Sequence, residues 1–259
     1  MPEVESGAAR IHYEVSGQGP ALVLAHGAGG NCLSWWQQVP FFAQQYTVVT
    51  FEHRCFGRSQ CPQESFHPRH FVTDLLAVLD AEGIERAALV CQSLGGWTGL
   101  PTALQHPERV RCLVLAGTPG GLFTPKVREA AAPVAAGAGR EGIRGNLALA
   151  PDYPRRRPDM AHLYDAISAL NTGFEPGLLR SLIDADSRIE PGQLEGYAVP
   201  TLILSGECDQ IFPPEALREV AGQIPGAELV SFPGIGHSTY FEDPEGFNAR
   251  VLEFVSRHA

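Results

Sequence analysis

Cys91-Gln92-Ser93-Leu94-Gly95-Gly96 follows the apolar run Ala87–Cys91 and leads into Trp97. A serine placed between a buried-strand pattern and a helix start, with two glycines behind it, suits a sharp strand-to-helix turn. Such a turn exposes the hydroxyl and leaves room only for small side chains around it. A serine can also simply cap a helix after a strand, so this stretch needs partners elsewhere in the chain. Two stretches supply them. Gly206-Glu207-Cys208-Asp209-Gln210 follows the apolar run Thr201–Ser205, and Gly234-Ile235-Gly236-His237-Ser238 follows Ala227–Phe232. A serine hydroxyl is a weak nucleophile near neutral pH and needs a base, which in turn needs an orienting acid. Ser93, then Asp209, then His237 is the chain order in which a serine on such an elbow finds them.

Outward from the elbow, strand-length apolar runs recur at Ala21–Ala25, Tyr46–Phe51, Ala87–Cys91, Val110–Ala116, Thr201–Ser205 and Ala227–Phe232. They are continuous rather than alternating, as expected of strands covered on both faces. Helical patterns lie between several of them. Phe71, Leu75, Val78 and Leu79 form one apolar stripe, and Gly83 supplies a stop. Residues 9–17 read as an earlier antiparallel strand. This alternation predicts a mostly parallel, doubly wound sheet with ligands at the carboxyl ends of its strands. It fails between about Gly120 and Glu195, where Ala, Arg and Pro abound and helices are expected near 125–137, 158–171 and 176–186.

The bulk properties narrow the function classes. The chain has 259 residues, 44% of them apolar, enough for one large domain with a sizeable core. A formal net charge of -10 disfavours nucleic acid and anionic lipid as partners. No apolar run approaches the ~18 residues of a membrane helix. Met1-Pro2-Glu3-Val4-Glu5 lacks a basic start followed by an apolar core, so a cytoplasmic protein is expected. Cys32, Cys55, Cys61, Cys91, Cys112 and Cys208 form no C-x-x-C pair and read as scattered reduced thiols, with neither a disulfide frame nor a metal site expected.

With His26-Gly27-Ala28-Gly29-Gly30 after the run Ala21–Ala25, the chain resembles the α/β-hydrolase superfamily over nearly its whole length. The resemblance implies an eight-stranded sheet with an inserted helical cap, the core spanning 1–119 and 197–259 and the cap 120–196. It implies Ser93 as nucleophile, His237 as base and Asp209 as acid, with Glu207 as the alternative acid. Gly117-Thr118-Pro119 offers no carboxylate at the other position some relatives use. The backbone N–H groups of Leu94 and Ala28 would form the oxyanion hole, with Gly29 able to replace Ala28 if the loop shifts. The chain departs from the family pattern at Cys91, where the usual elbow has glycine, and at Glu52 and Cys55 in the loop Glu52-His53-Arg54-Cys55-Phe56-Gly57-Arg58-Ser59. The elbow turn is expected to survive the first change.

The activity implied is that of a cofactor-independent serine hydrolase cleaving a small-molecule carboxylic ester or lactone. Carbon–carbon bond hydrolases and perhydrolases share the triad and remain alternatives, as does a ligand receptor that keeps the hydrolase fold. A hydroxynitrile lyase usually needs a lysine near the acid, but the only lysine is Lys126 in the expected cap. Trp35 and Trp36, mainly packing residues, are candidates for the substrate pocket. Arg144, Tyr164 and Asn171 are candidates to face it from the cap. The sequence carries no reading of oligomeric state, and Pro101 inside the helix after Ser93 has no functional account.

Overall fold

Each continuous apolar run becomes a strand of one eight-stranded sheet. The structure is a computed structural model and describes residues 2–135 and 147–258. The strands are β1 (Glu3–Ser6), β2 (Ala9–Ser16), β3 (Ala21–Ala25), β4 (Thr47–Phe51), β5 (Ala87–Gln92), β6 (Val110–Ala116), β7 (Thr201–Gly206) and β8 (Glu228–Phe232). Their order across the sheet is β1-β2-β4-β3-β5-β6-β7-β8. The pairs β1–β2 and β2–β4 are antiparallel, and every other pair is parallel. Five central strands, β3 to β7, are almost wholly buried, which explains their unbroken apolar runs. Strand β8 departs from that expectation: it closes the sheet edge, and only Phe232 of its five residues is buried.

Successive strand residues point to opposite faces, so the runs feed two apolar layers. On one face Val23, Leu89 and Leu113 pack with Leu75 and Leu79 of α1 (Phe71–Ala81) and Trp97 and Leu100 of α2 (Gly96–Gln105). On the other, Leu22, Leu24, Val90 and Val114 pack with Phe247, Val251 and Phe254 of the C-terminal helix Pro244–Ser256. The stop expected at Gly83 follows α1 directly, in the left-handed conformation with φ +65°. This is a doubly wound α/β sheet, as the sequence implied.

The described residues of 120–196 are helical or irregular, apart from an isolated parallel bridge between Leu122 and Ile189. Helix α3 (Pro125–Ala135) and helix α4 (Pro158–Ala169) fall where helices were expected, residues 136 and 137 of the first lying outside the described residues. The third expected helix is corrected in type. Pro176–Ile183 and Ala185–Ser187 are short 3₁₀ segments, broken at Asp184, whose backbone is extended.

The loop after β4 is tied down by charge. Arg54 donates to both carboxylate oxygens of Asp74 on α1 at 2.7 and 2.6 Å, and both side chains are almost fully buried. Cys55 takes the left-handed conformation, φ +67°, at the position where the resembling loop has glycine. It is bonded to Cys61, with Cα atoms 5.4 Å apart, which corrects the expectation of reduced thiols for this pair. Six residues of spacing carry no sign of pairing; it is the fold of the loop that brings the two Cβ atoms together. Cys32, Cys91, Cys112 and Cys208 are free. Among the described residues no helix is long and apolar enough to cross a membrane.

Candidate active site

Ser93 stands at the carboxyl end of β5 with φ +47°, a left-handed conformation that non-glycine residues rarely adopt. The surroundings impose it. A side chain on Gly95 would strike the carbonyl oxygen of Ala25, and one on Gly96 would strike Thr118, so the chain must turn sharply into α2. Cys91 occupies the usual glycine position without opening the turn, because α2 makes room for it. A Cβ on Gly99 would lie 2.5 Å from the Cys91 sulfur. Burial pushes the Cys91 thiol well up, which fits a packing residue and not a nucleophile.

The two partners converge from loops after β7 and β8. Asp209 is buried and uses both carboxylate oxygens. Oδ1 accepts from the N–H groups of Ile211 and Phe212 at 2.8 and 2.9 Å, and Oδ2 accepts from His237 Nδ1 at 2.9 Å. A carboxylate only accepts, so the proton of neutral His237 sits on Nδ1 and Nε2 is left as the basic nitrogen. Glu207, the alternative acid, is exposed and makes no such contact. Gly117, φ +57°, follows β6 directly and lies against this pair. A Cβ there would come within 2.7 Å of the His237 carbonyl oxygen and 3.1 Å of Nδ1, so the imidazole rests on bare backbone.

His237 is also held from the other side. Ser238 N–H donates to Ala148 O at 2.9 Å, and the Tyr164 hydroxyl lies 3.0 Å from Ser238 Oγ. Glu242 Oε1 accepts from Gly236 N–H and Ala150 N–H, each at 3.0 Å. Burial pushes the Glu242 carboxyl up to about 7, and its second oxygen is buried without a partner among the described residues.

The loop after β3 is shaped by a histidine pair. His26 Nδ1–H donates to Gly27 O at 2.8 Å and its Nε2 accepts from His53 N–H at 3.0 Å. Burial pushes its imidazole down to about 4 and that of His53 well down, so both are neutral braces. Gly30 N–H closes the turn on Gly27 O at 2.9 Å. The loop is moored to the end of α4: Asn31 Nδ2 donates to Ile167 O at 3.0 Å and Asn171 Nδ2 to Gly29 O at 2.8 Å. Asn171 therefore does not reach the cavity but holds the loop that does.

Ser93 and His237 line one cavity of about 100 Å³. Ala28 and Leu94 border it, as does Gln92 beneath Gly27. Trp97 comes from α2, and Ile211 and Phe212 from the Asp209 turn. Ala148, Tyr164, Leu179 and Leu182 enter from the 120–196 interval. The expected pocket tryptophans are corrected: neither borders the cavity. Trp35 is fully buried against Tyr240, ring centroids 4.7 Å apart, and Trp36 is exposed. The tryptophan that does is Trp97, whose Nε1–H donates to Leu182 O at 3.0 Å. Arg144 lies outside the described residues. Two trios, His12–Glu14–Cys32 and His67–Asp184–Asp186, bring metal-ligand types together, but none of the six borders this cavity.

The sequence model of the alpha/beta hydrolase family matches residues 22–250. A 2-hydroxymuconate semialdehyde hydrolase of Pseudomonas sp. is 30% identical over 277 residues, covering 98% of this chain and 93% of the relative. A Caulobacter sp. protein assigned by inference as a carbamate hydrolase is 29% identical over 276 residues, covering 96% and 97%. Among solved structures, an N-acyl homoserine lactone degrading enzyme superposes with TM-score 0.82 at 28% identity, covering 98% of this chain and 100% of the other.

Proposed function

Since the chain belongs to the alpha/beta hydrolase family, we propose that it is a serine hydrolase cleaving a short-chain carboxylic ester or lactone through an acyl-enzyme on Ser93. The observation that carries the reading is the convergence of a left-handed serine, an Asp209-oriented imidazole and an apolar cavity at one sheet end. In this mechanism Ser93 Oγ attacks the carbonyl carbon while His237 Nε2 takes the hydroxyl proton. Negative charge gathers on the carbonyl oxygen, where the N–H groups of Leu94 and Ala28 stabilise it by a few kcal/mol. The imidazolium returns the proton to the departing alcohol, and Asp209 stabilises it meanwhile. Water, activated by His237, then releases the acid and restores Ser93. Among the described residues Ser93 Oγ makes no hydrogen bond, and in unliganded sites that contact commonly tightens only around substrate.

The residues 120–196 act in this reading as a cap, setting the roof of the cavity with Ala148, Tyr164, Leu179 and Leu182. The volume bounds the substrate. An apolar cavity of ~150 Å³ holds a benzene ring, and about 100 Å³ suits an acyl group of two to four carbons. The similarity to a 2-hydroxymuconate semialdehyde hydrolase supports carbon–carbon cleavage as a second reading. The ester reading is preferred because the described lining is largely apolar, with Ala28, Leu94, Trp97, Leu179, Leu182, Ile211 and Phe212, which suits a neutral substrate.

The test is hydrolysis of p-nitrophenyl esters across acyl lengths by the wild type and Ser93→Ala. Turnover on short chains and a loss of at least ~10³-fold in kcat/KM in the variant are expected. A folded wild type inactive on every ester and lactone, yet active on a ring-cleavage product, would replace this reading with carbon–carbon hydrolysis.

A further inference from the structure

The cavity beside Ser93 is apolar almost throughout, and apart from Ser93 itself one polar side chain lining it is left without a protein partner among the described residues. Gln92 is 3% exposed, borders the cavity, and makes no side-chain hydrogen bond among the described residues. Tyr164 is paired with Ser238, and His237 with Asp209. The amide is not there for want of space elsewhere, since the fold reserves a place for it. Gly27 carries no side chain where one would collide with Gln92 Oε1, and the same Cβ would lie 2.9 Å from Ser93 Cβ. The carboxamide is thus wedged beneath the loop that carries Ala28 and beside the nucleophile's own Cβ, with little freedom to turn away.

Hydrocarbon would have filled the same volume without leaving an amide at the cavity to be paired. The carboxamide offers both an acceptor oxygen and two donors. At this position its complement is a polar group one or two bonds from the scissile carbonyl, and within about 100 Å³ that group must be small. A hydroxyl fits, because it donates to the oxygen and accepts from the nitrogen. A carboxylate does not, because it would enter an apolar cavity whose described lining holds no cation.

Resting on the serine-hydrolase reading above, we propose that Gln92 is a specificity-determining residue that selects short hydroxyacyl groups, with the hydroxyl on carbon 2 or 3, over plain alkanoyl groups. A site built to bond a hydroxyl discriminates against the analogue lacking it, because the enzyme's own polar group is then left unpaired.

The experiment compares ethyl butyrate with ethyl 2-hydroxybutyrate and ethyl 3-hydroxybutyrate by proton release, in the wild type and in Gln92→Leu and Gln92→Met. The wild type should favour one hydroxy ester by at least ~10-fold in kcat/KM. Both variants should lose that preference, their kcat/KM falling at least ~10-fold further on the preferred hydroxy ester than on ethyl butyrate. Rapid turnover with equal kcat/KM for all three esters overturns the proposal while leaving the hydrolase reading intact. So does an equal loss on every ester in the variants, which would make Gln92 general to turnover. A folded wild type that turns over none of the three overturns the ester reading and this proposal with it. The wild-type ratio needs no variant, so a misfolded Gln92→Leu does not shield the proposal.

Discussion

Asn171→Ala tests how far the chemistry at Ser93 depends on a residue remote from it. The side chain is a bridge between three segments. Its Oδ1 accepts from Gly57 N–H at 2.8 Å, and its Nδ2 donates to Gly29 O at 2.8 Å and to Ser168 O at 3.2 Å. Alanine removes all three bonds. At about 1 kcal/mol net for each of the two that cross segments, the fold should lose ~2 kcal/mol. The effect on turnover follows from the Gly29 bond alone, because Gly29 adjoins Ala28, the proposed oxyanion donor. Deleting such a donor outright costs ~10²–10³ in kcat. Here the donor stays and only its mooring goes, and the parallel tie from Asn31 to Ile167 O at 3.0 Å remains. A fall of about tenfold in kcat, some 1.4 kcal/mol of transition-state stabilisation, is therefore expected with little change in KM.

Asn171→Asp separates the two ends of the bridge. The carboxylate still accepts from Gly57 N–H, but it sets an oxygen against Gly29 O where a donor stood. It should lose at least as much kcat as alanine while keeping more stability. Steady-state kinetics on the best ester, the Ki of an alkyl boronic acid that mimics the tetrahedral adduct, and urea unfolding read the three quantities. Weakening of the boronate in proportion to kcat/KM would place the effect in the oxyanion. If both variants lose stability but hold kcat within twofold of wild type, the mooring is structural and the reasoning fails.

Two further outcomes are expected. Asp74→Ala strands the Arg54 guanidinium in the interior with only Ser65 O to bond, so urea unfolding should show a loss of ~3–5 kcal/mol; the double replacement Arg54→Met with Asp74→Leu should recover most of it, and a single-variant cost under 1 kcal/mol would contradict a buried ion pair. Glu242 is raised by burial and by the Asp152 charge, against the Ala150 and Gly236 N–H groups and Arg156. With a folded value of about 7 against an ordinary 4.5, its stabilising contribution is whole below pH 4.5 and is lost as pH rises through about 7. Glu242→Gln cannot ionise, so its Tm should gain on wild type across that window and no further above it; a Tm difference constant from pH 4 to 8 would refute the assignment.

The parts of the fold legible in the sequence are those in which one segment states its own environment. The five central strands are buried on both faces, so each is apolar along its whole length. Strand β1, Glu3-Val4-Glu5-Ser6, exists only by pairing with β2 at the sheet edge and has no run to announce it. The Cys91 substitution was legible as a departure, but its compensation was not, because Gly99 lies eight residues on and reads merely as a weak helix residue. The Cys55–Cys61 bond has the same character. Nothing in its spacing separates it from four free cysteines until the loop folds.

At the candidate site the convergence of Ser93, Asp209 and His237 was easier to read than the pocket, and the reason is physical. Ser93, Asp209 and His237 each need a particular local turn, and turns leave glycines and polar residues in fixed order. A cavity wall needs only apolar atoms, so Leu179, Leu182 and Trp97 look in the sequence like any other core residue. Trp35 was the natural choice because it sits close to the Ala28 loop in the chain. The sheet sends it instead into the opposite layer, against Tyr240 and Phe247. One part of the wall did carry a signal. Ile211 and Phe212 donate their N–H groups to Asp209 Oδ1, so the turn that orients the acid also delivers two apolar side chains to the cavity. Leu94 is similar, since the residue proposed to supply an oxyanion N–H also borders the space where the acyl group would sit. The turns that carry the proposed triad and oxyanion residues thus build about half of the wall themselves. Change in substrate preference without loss of chemistry is then confined to the rest, Gln92, Trp97, Ala148, Tyr164, Leu179 and Leu182, of which Gln92 alone offers an unpaired polar group.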